Sequence, residues 1–208
     1  MLFQDLPSQP MDYFERLYSH RGYQRIAGVD EVGRGPLAGP VVAAAVILPE
    51  RGIGQRLFDS KQISPQKRDD LYPAILSEAL AVAVGIVGSE EIDRLNILEA
   101  SFKAMALAIG SLTVPADFIL IDGPHGLRLP LPQKPIPKGD QLSNSIAAAS
   151  IVAKVTRDRM MEEFHLQYPL YNFARHKGYG TREHRRAIAR FGICDLHRKT
   201  FRGVKEYL

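Results

Sequence analysis

The chain has 208 residues, 45% of them hydrophobic, which suffices for one sizeable core and predicts a single domain over residues 1–208. The sequence has no long uncharged apolar stretch that could span a membrane, and the acids near its start argue against a signal peptide. A single cysteine, Cys194, excludes an internal disulfide and fits a reducing cytoplasm. The net charge of +4 is uneven, because the segment from Lys154 onward is basic and the part before it is slightly acidic. This division suits an enzyme that binds metal in one part and a polyanion in the other, although a basic last quarter can also be an ordinary solvated surface.

The first predicted elements are a short helix and a hairpin. The helix lies around Met11–Tyr18. Two apolar runs, Ile26–Val32 and Val41–Leu48, flank a glycine-rich loop and predict two antiparallel strands. The Ser-Pro pair at 64–65 gives the N-cap and first turn of a helix, and the β-branched run Ala81–Val87 predicts a third strand.

Strands and helices then alternate along the chain. One long helix is predicted from Ser89, with apolar residues at helical spacing, followed by a short buried strand at Asp117–Ile121. Leu127–Pro137 is proline-rich and predicted to be irregular, and helices are predicted at Ser143–Phe164 and from Thr181 to Arg190. A hairpin followed by this alternation predicts a mixed sheet with helices on its faces.

Four acids lie at the ends of apolar segments or beside glycines: Asp30, Glu31, Asp122 and Asp140. The C-terminal end of a central strand is the usual site position in an α/β sheet. If the four converge, their negative charge needs a cation, and Mg²⁺ or Mn²⁺ fits because hard cations prefer carboxylate oxygens. No Cys/His cluster has zinc spacing. Two such ions would activate water and stabilise the leaving oxygen of an in-line phosphoryl displacement.

The alternative for any single acid is a helix cap or a salt bridge. For Asp158 we expect a salt bridge, because Lys154 lies four residues earlier on the same predicted helix. Asp30 and Glu31 pose a separate problem, since adjacent residues of a regular strand point to opposite faces. We expect either a distortion at the end of the strand or a Glu31 side chain that reaches around it.

The glycine loop, residues 33–40, follows these acids directly. Its spacing differs from the dinucleotide-binding fingerprint, and no phosphate-loop pattern ending in Gly-Lys-Ser/Thr is present. The loop is either a hairpin turn that needs positive φ or a site where bare N–H groups and Arg34 meet a phosphate or ribose. Its position next to Asp30 and Glu31 favours the second interpretation.

Six ordered motifs resemble those of bacterial ribonuclease HII. They are GVDEVGRGPLAGPVV from residue 28, DSK at 59–61, LIDG at 120–123, KGD at 138–140, SIAAASIVAKVTRD at 145–158 and HKGYGT at 176–181. The resemblance runs from about Ile26 to Phe201. It implies an α/β protein with an RNase H-like fold, a five-stranded mixed sheet flanked by helices, and a basic helical C-terminal extension over about 170–208.

The resemblance also implies an activity and its residues. Family members hydrolyse the RNA strand of RNA–DNA hybrids and nick duplex DNA 5′ to embedded ribonucleotides, leaving 3′-hydroxyl and 5′-phosphate ends, with Mn²⁺ or Mg²⁺ as cofactor. The family's metal-binding and catalytic acids fall on Asp30, Glu31, Asp122 and Asp140. Its substrate-binding residues fall on Gly33, Arg34, Gly35 and Tyr179, with Lys61 as a phosphate contact. The expected partners are RNA–DNA hybrid and ribonucleotide-containing duplex DNA, and the expected state is a monomer.

Further residues are predicted with alternatives. Tyr179 would pack on the sugar and hydrogen-bond its 2′-hydroxyl, and the alternative is an exposed turn tyrosine. For His176 and His184 the alternatives are a role as ligand or base and a position at the surface or in contact with phosphate, and the second is expected. The basic groups expected to bind phosphates are Lys61, Lys177, Arg182, Arg185 and Arg186.

Two other functions remain open at this stage. The first is a metal nuclease or strand-transferase of the same fold that acts on plain DNA. The second is a non-catalytic nucleic-acid-binding module. Four intact acids argue against the module, because binding alone gains nothing from negative charge facing phosphate.

Overall fold

The computed structural model describes residues 10–53 and 64–208. Within these ranges five strands form one sheet: β1 (Ile26–Val32), β2 (Val41–Ile47), β3 (Ala81–Val87), β4 (Phe118–Asp122) and β5 (Gln133–Ile136). The helices of these ranges are α1 (Tyr13–Ser19), α2 (Pro65–Glu78), α3 (Ser89–Leu95), α4 (Ile97–Gly110), α5 (Asn144–Gln167), α6 (Phe173–His176) and α7 (Arg182–Phe191). Short 3₁₀ turns occupy Gly139–Gln141, Pro169–Tyr171 and Lys205–Tyr207.

The sheet has the order β3-β2-β1-β4-β5 and is mixed. β1 pairs antiparallel with β2, and β2 pairs antiparallel with β3. β1 pairs parallel with β4, and β4 pairs parallel with β5. The predicted five-stranded mixed sheet is therefore confirmed, with β1 at its centre.

Helices α4 and α5 cover opposite faces of this sheet. Alternate residues of β2 divide between them: Ala43 and Ala45 belong to the cluster that contains α4, and Ala44 and Val46 to the cluster that contains α5. Gly28 in β1 has no side chain where the α5 backbone at Ser145 lies directly against the strand. This close approach brings α5 over the carboxyl end of β1.

Two predicted elements differ from the structure. The long helix expected from Ser89 is interrupted at Asn96, whose φ of 74° ends α3 and whose side chain accepts the Leu98 and Glu99 amides to begin α4. Asparagine tolerates the left-handed region and caps helices well, which explains the break. The segment expected to be irregular contains β5, where Pro135 is accommodated because β5 is an edge strand.

The other helices follow the predicted signals. Ser64 accepts a hydrogen bond from the Lys67 amide and caps α2, and Thr181 caps α7 in the same way. Helix α5 extends to Gln167, two residues before Pro169. Within the described ranges, no helix combines the length and apolarity needed to cross a lipid bilayer.

The C-terminal segment pairs with the glycine loop. Ala38 forms an antiparallel bridge with His197. The Gly39 amide donates to the Leu196 carbonyl at 2.8 Å, and the Arg198 amide donates to the Leu37 carbonyl at 2.9 Å. The loop that follows β1 is thus held by residues from near the end of the chain.

Candidate active site

Asp30 and Asp122 lie at the carboxyl ends of neighbouring parallel strands. The register of β1 and β4 ends with Val29 opposite Ile121, so the two acids follow directly on adjacent strands. Glu31 continues β1 by one residue. Parallel pairing thus joins acids from two distant motifs at one edge of the sheet.

These three carboxylates interact electrostatically. The pKa of Asp30 is well above its ordinary value because the group is buried and because Glu31 and Asp122 add negative charge. Hydrogen bonds from Ser150 and from the Glu31 amide, at 2.7 Å, act in the opposite direction. Burial also raises the pKa of Glu31, with Asp122 adding to the effect, while Arg34 at 3.3 Å opposes it. The site therefore concentrates negative charge in a poorly solvated place.

The pairing of β1 decides between the two arrangements considered for Asp30 and Glu31. The register is continuous, with Asp30 opposite Ala44 and Glu31 opposite Ala43, so no inserted residue distorts the strand end. The two side chains leave opposite faces of β1, yet both experience the charge of Asp122. The continuous register favours the second arrangement, in which the Glu31 side chain reaches around the end of the strand.

Asp140 lies on the 3₁₀ turn that follows β5. It is fully buried, and its neighbour Gly139 donates its amide to Asp122 Oδ1 at 2.6 Å. The charges that raise the pKa of Asp30 come from Glu31 and Asp122. The charges of Asp30, Glu31 and Asp122 thus act on one another. Asp140 directly follows Gly139, whose amide binds Asp122.

The carboxylate set suits a divalent cation. Three mutually repelling carboxylates offer the hard oxygen donors that Mg²⁺ or Mn²⁺ prefers, and a cation would offset the repulsion that raises the pKa of Asp30. In the described part of the chain, however, no three acidic, histidine or cysteine side chains stand in an arrangement ready to hold a metal ion. Asp30, Glu31 and Asp122 each accept a hydrogen bond through one carboxylate oxygen, from the Glu31 amide, the Arg34 side chain and the Gly139 amide in turn.

The glycine loop brings Arg34 into contact with Glu31 and lies against Tyr179. Gly33 adopts φ of +93°, and the Arg157 side chain fills the space beside its Cα. The Arg34 side chain is half exposed and donates to Glu31 Oε1. The Tyr179 ring lies 3.8 Å from the position that a Cβ on Gly35 would take, and Tyr179 itself is 42% exposed. Arg34, Gly35 and Tyr179 are therefore exposed next to one another, whereas Gly33 is buried behind them.

The tyrosine loop, residues 177–181, is supported by buried histidines. His184 Nδ1 is 3.0 Å from the Tyr179 carbonyl, and the Gly178 amide donates to His176 Nδ1 at 3.2 Å. The rings of His176 and His184 stack 4.5 Å apart, and His184 Nε2 is 3.1 Å from His197 Nε2. The expectation that these histidines lie at the surface or at phosphates is wrong, because Phe173 and the neighbouring imidazoles enclose them.

Burial changes the charge state of this cluster. It lowers the pKa of His184 and of His197 to about 4, and lowers that of His176 as well. The imidazoles are therefore neutral near pH 7 and act as hydrogen-bonding groups beneath the tyrosine loop. Burial raises the pKa of the Cys194 thiol, which lies 3.2 Å from His197 Nδ1. That thiol is poorly suited to act as a nucleophile.

The predicted phosphate contacts divide into three groups. Lys61 lies outside the described residues. Lys177 forms an ion pair with Glu162 at 2.6 Å, and Arg185 Nε donates to the Gly180 carbonyl, so both support the fold. Arg182 and Arg186 are exposed on α7 and remain available to phosphates. The Lys154–Asp158 salt bridge, expected from the sequence, is present.

Comparison with known proteins identifies the family. A family profile described as Ribonuclease HII matches residues 27–204. Ribonuclease HII of Geobacter metallireducens is 56% identical over 207 residues, which cover 100% of this chain and 97% of the relative. The chain belongs to the ribonuclease HII family. This family member is therefore a metal-dependent endonuclease of the ribonuclease H class that acts on RNA–DNA hybrids.

Solved structures agree with this assignment. Ribonuclease H2 from Pyrococcus horikoshii OT3 matches with a TM-score of 0.75 and 26% identity, covering 88% of this chain and 96% of the other. The PCNA:RNase HII complex from Archaeoglobus fulgidus matches with a TM-score of 0.69 and 25% identity, covering 86% and 95%. The RNase H-like fold expected from the motifs is confirmed.

Three structurally important residues of this chain were not predicted from the sequence. Arg157 stands within the SIAAASIVAKVTRD motif, where a long charged residue among apolar positions could have signalled a buried role. Arg198 gives no comparable signal, although both arginines are fully buried beside the glycine loop. Glu15 accepts hydrogen bonds from Ser143 and Ser145 at the start of α5, a contact that joins distant parts of the chain.

Proposed function

We propose that this protein, besides cutting RNA in RNA–DNA hybrids, nicks duplex DNA on the 5′ side of a single embedded ribonucleotide and leaves 3′-hydroxyl and 5′-phosphate ends. Such an activity suits the removal of ribonucleotides from DNA. The observation that carries the proposal is the position of Arg34, which joins the acids to the ribose-contacting surface: it donates to Glu31, and the Tyr179 ring packs over the next residue, Gly35. One nucleotide can therefore meet both the acids and this surface.

The acids are proposed to hold the cofactor. Asp30, Glu31, Asp122 and Asp140 would bind Mg²⁺ or Mn²⁺, which when bound activates water and stabilises the departing 3′-oxygen. The raised pKa of Asp30 supports this role, because burial and then the negative charges of Glu31 and Asp122 disfavour the ionised carboxylate, and a bound cation would offset both effects. Burial on the α5 side limits the water that could otherwise solvate the group.

Ribose recognition is assigned to the glycine loop and Tyr179. The 2′-hydroxyl is the group that distinguishes RNA from DNA at one nucleotide, and it both donates and accepts hydrogen bonds. The half-exposed guanidinium of Arg34 has donors to spare beyond its bond to Glu31, and the backbone amides of the exposed residues Arg34 and Gly35 lie in the same stretch of the loop. Tyr179 presents a ring to the sugar and a hydroxyl to its oxygen.

The basic C-terminal segment is proposed to be part of the same catalytic domain. Its residues bond directly to the glycine loop through the Ala38–His197 bridge. Arg182 and Arg186 on α7, together with Lys61, would bind duplex phosphates on either side of the scissile position. We therefore treat residues 1–208 as one functional unit with a polyanion-binding extension over about 170–208.

A nicking assay tests the proposal. The substrates are duplex DNA with one ribonucleotide, the same duplex entirely of DNA, and an RNA–DNA hybrid, each assayed in Mg²⁺, in Mn²⁺ and with EDTA. We expect cleavage of the first and third substrates only, abolished by EDTA, with a nick that a DNA ligase requiring 3′-hydroxyl and 5′-phosphate ends can reseal. Cleavage of the hybrid alone, or of all three duplexes, would contradict the proposed specificity.

A further inference from the structure

Two fully buried arginines lie behind the glycine loop, and their donors go to backbone carbonyls. Arg198 donates from Nη2 to the Gly33 carbonyl at 2.6 Å and from Nη1 to the Arg34 carbonyl at 3.0 Å. Its Nε and Nη2 also donate to the Gly39 carbonyl at 3.0 and 2.9 Å. One guanidinium thus holds both ends of the loop.

Arg157 joins the glycine loop to the tyrosine loop. Its Nε donates to the Pro40 carbonyl at 2.9 Å and its Nη2 to the Ala38 carbonyl at 3.3 Å. Its Nη1 donates to the Lys177 carbonyl at 3.0 Å. The two loops that carry Arg34 and Tyr179 therefore share one buried side chain.

Neither guanidinium forms a salt bridge with a carboxylate among the residues that the structure describes. The negative charges that act on them, from Asp158 and Asp93, are engaged elsewhere: Asp158 pairs with Lys154, and Asp93 accepts two backbone amides at 199–200. Burial lowers the pKa of Arg198 to about 9, and the neighbouring charge of Arg157 adds to this effect. Two buried positive charges without a paired acid are costly, and their hydrogen bonds to the carbonyls of the two loops are what offsets that cost here.

The direction of the loop amides follows from these bonds. No peptide bond of the described residues is cis, and in a trans peptide the N–H points opposite to the C=O. Because Arg198 holds the carbonyls of Gly33 and Arg34, the amides of Arg34 and Gly35 point away from it. Arg34 and Gly35 are exposed, and the Tyr179 ring lies 3.8 Å from the position that a Cβ on Gly35 would take.

We propose that Arg198 and Arg157 are positioning residues for ribonucleotide recognition. Arg198 fixes the peptide orientation that presents the Arg34 and Gly35 amides, and Arg157 sets the separation between this loop and Tyr179. Their charge also draws substrate phosphate towards the loop. The inference rests on the function proposed for the glycine loop.

Lysine substitutions test the proposal because they keep the charge and lose the multiple fixed donors. We expect R198K and R157K to lower kcat/KM on the single-ribonucleotide duplex at least tenfold, with the loss mainly in kcat, while the melting temperature stays above that of the assay. The matched control is R159K, on the same helix α5, where the side chain is 53% exposed. It should remain within twofold of the parent protein.

A double-mutant cycle separates positioning from general destabilisation. If Arg198 acts through the loop, R34A costs much less in the R198K background than in the parent, so the combined loss is smaller than the product of the single losses. A protein that is merely less stable would show multiplied losses. Multiplied losses, or an R198K variant with the kcat and KM of the parent, would overturn the proposal.

The design remains informative if a variant or the proposed function fails. If R198K does not fold, R157K enters the same cycle, because Arg157 supports the same loop from helix α5. If the parent protein cuts the hybrid but not the single-ribonucleotide duplex, the proposed specificity fails. The cycle is then measured on the hybrid, whose 2′-hydroxyls require the same loop geometry.

Discussion

The side chain of Arg157 occupies the space in which a side chain at Gly33 would have to stand. The glycine has φ of +93°, and a Cβ there would also crowd the Pro40 carbonyl. Glycine at this position is therefore required by conformation and by packing together. Strand β1, which carries Asp30 and Glu31, ends at Val32, so a shift of the backbone at Gly33 would also displace Glu31.

Replacing Gly33 with alanine tests this relationship. We expect G33A to lose about 1–3 kcal/mol of unfolding free energy and most of the nicking activity, since the loop must shift away from Arg157. Gly110, at the end of α4, provides a control because no heavy atom lies within 4 Å of its Cβ position. Chemical denaturation and the nicking assay should show G110A to be neutral or slightly stabilised; equal losses in both variants would refute the packing argument.

Asp122→Asn separates catalysis from stability. Asparagine keeps an oxygen to accept the Gly139 amide but removes one of the charges that raise the pKa of Asp30. We expect cleavage to fall at least a hundredfold, duplex binding to be kept or improved, and the melting temperature in EDTA to rise. The control is E163Q, at an exposed acid on α5. Near-parental nicking by D122N would remove Asp122 from the metal-binding set.

Arg34→Ala tests recognition of the ribose. The side chain is half exposed, so its ion pair with Glu31 contributes little to stability, and we expect an unchanged melting temperature. The kcat/KM for single-ribonucleotide duplex should fall about tenfold or more, the size of one lost charge-assisted hydrogen bond. Arg94 pairs with Glu91 in the same i, i+3 arrangement on helix α3, outside the glycine loop, so R94A is the matched control. Identical kinetics for R34A and R94A would exclude the loop from recognition.

Acid should destabilise the protein through its buried histidines. His184 and His197 have pKa values lowered to about 4, so the unfolded chain binds more protons below the ordinary value near 6.5. Their contribution to stability is complete above pH 6.5 and is lost as the pH falls towards 4, each pKa unit being worth about 1.4 kcal/mol. Urea unfolding between pH 7.5 and 4.5 should show that the free energy of unfolding falls less steeply with pH in H184Q than in the parent. In the exposed control H20Q it should fall as steeply as in the parent.

Salt should weaken substrate binding through α7. Arg182 and Arg186 are exposed, and each phosphate contact contributes about 0.7–0.9 to the slope of log K against log salt. Removing both with alanine should reduce that slope by about 1.5 while leaving the cleavage rate of bound substrate intact. Fluorescence anisotropy with labelled duplex at several salt concentrations measures the slope. A slope equal to that of the parent would assign the phosphate contacts to other residues.

The local features of this protein were determined by its sequence. The apolar runs of β1 and β2, the glycines between them and the Ser64 cap each depend on residues a few positions apart, and the structure agrees with all of them. Helical spacing of apolar residues did not predict the break at Asn96, because that spacing continues from α3 into α4. The break comes from the backbone and capping preferences of Asn96 itself. The edge strand β5 was not predicted, because it contains Pro135 and proline is unusual inside a strand. Its pairing with β4 alone, at the edge of the sheet, accommodates the proline.

The contacts that shape the candidate site were decided by tertiary structure alone. Nothing local indicates that Asp122 stands beside Asp30, that Glu15 binds the start of α5, or that Arg198 holds the carbonyl of Gly33. Sequence pattern reports how a residue suits its immediate neighbours, whereas burial and bonding of a polar side chain depend on which distant segments pack around it. The same reason explains why His184, polar and expected at the surface, became part of the core beneath Tyr179.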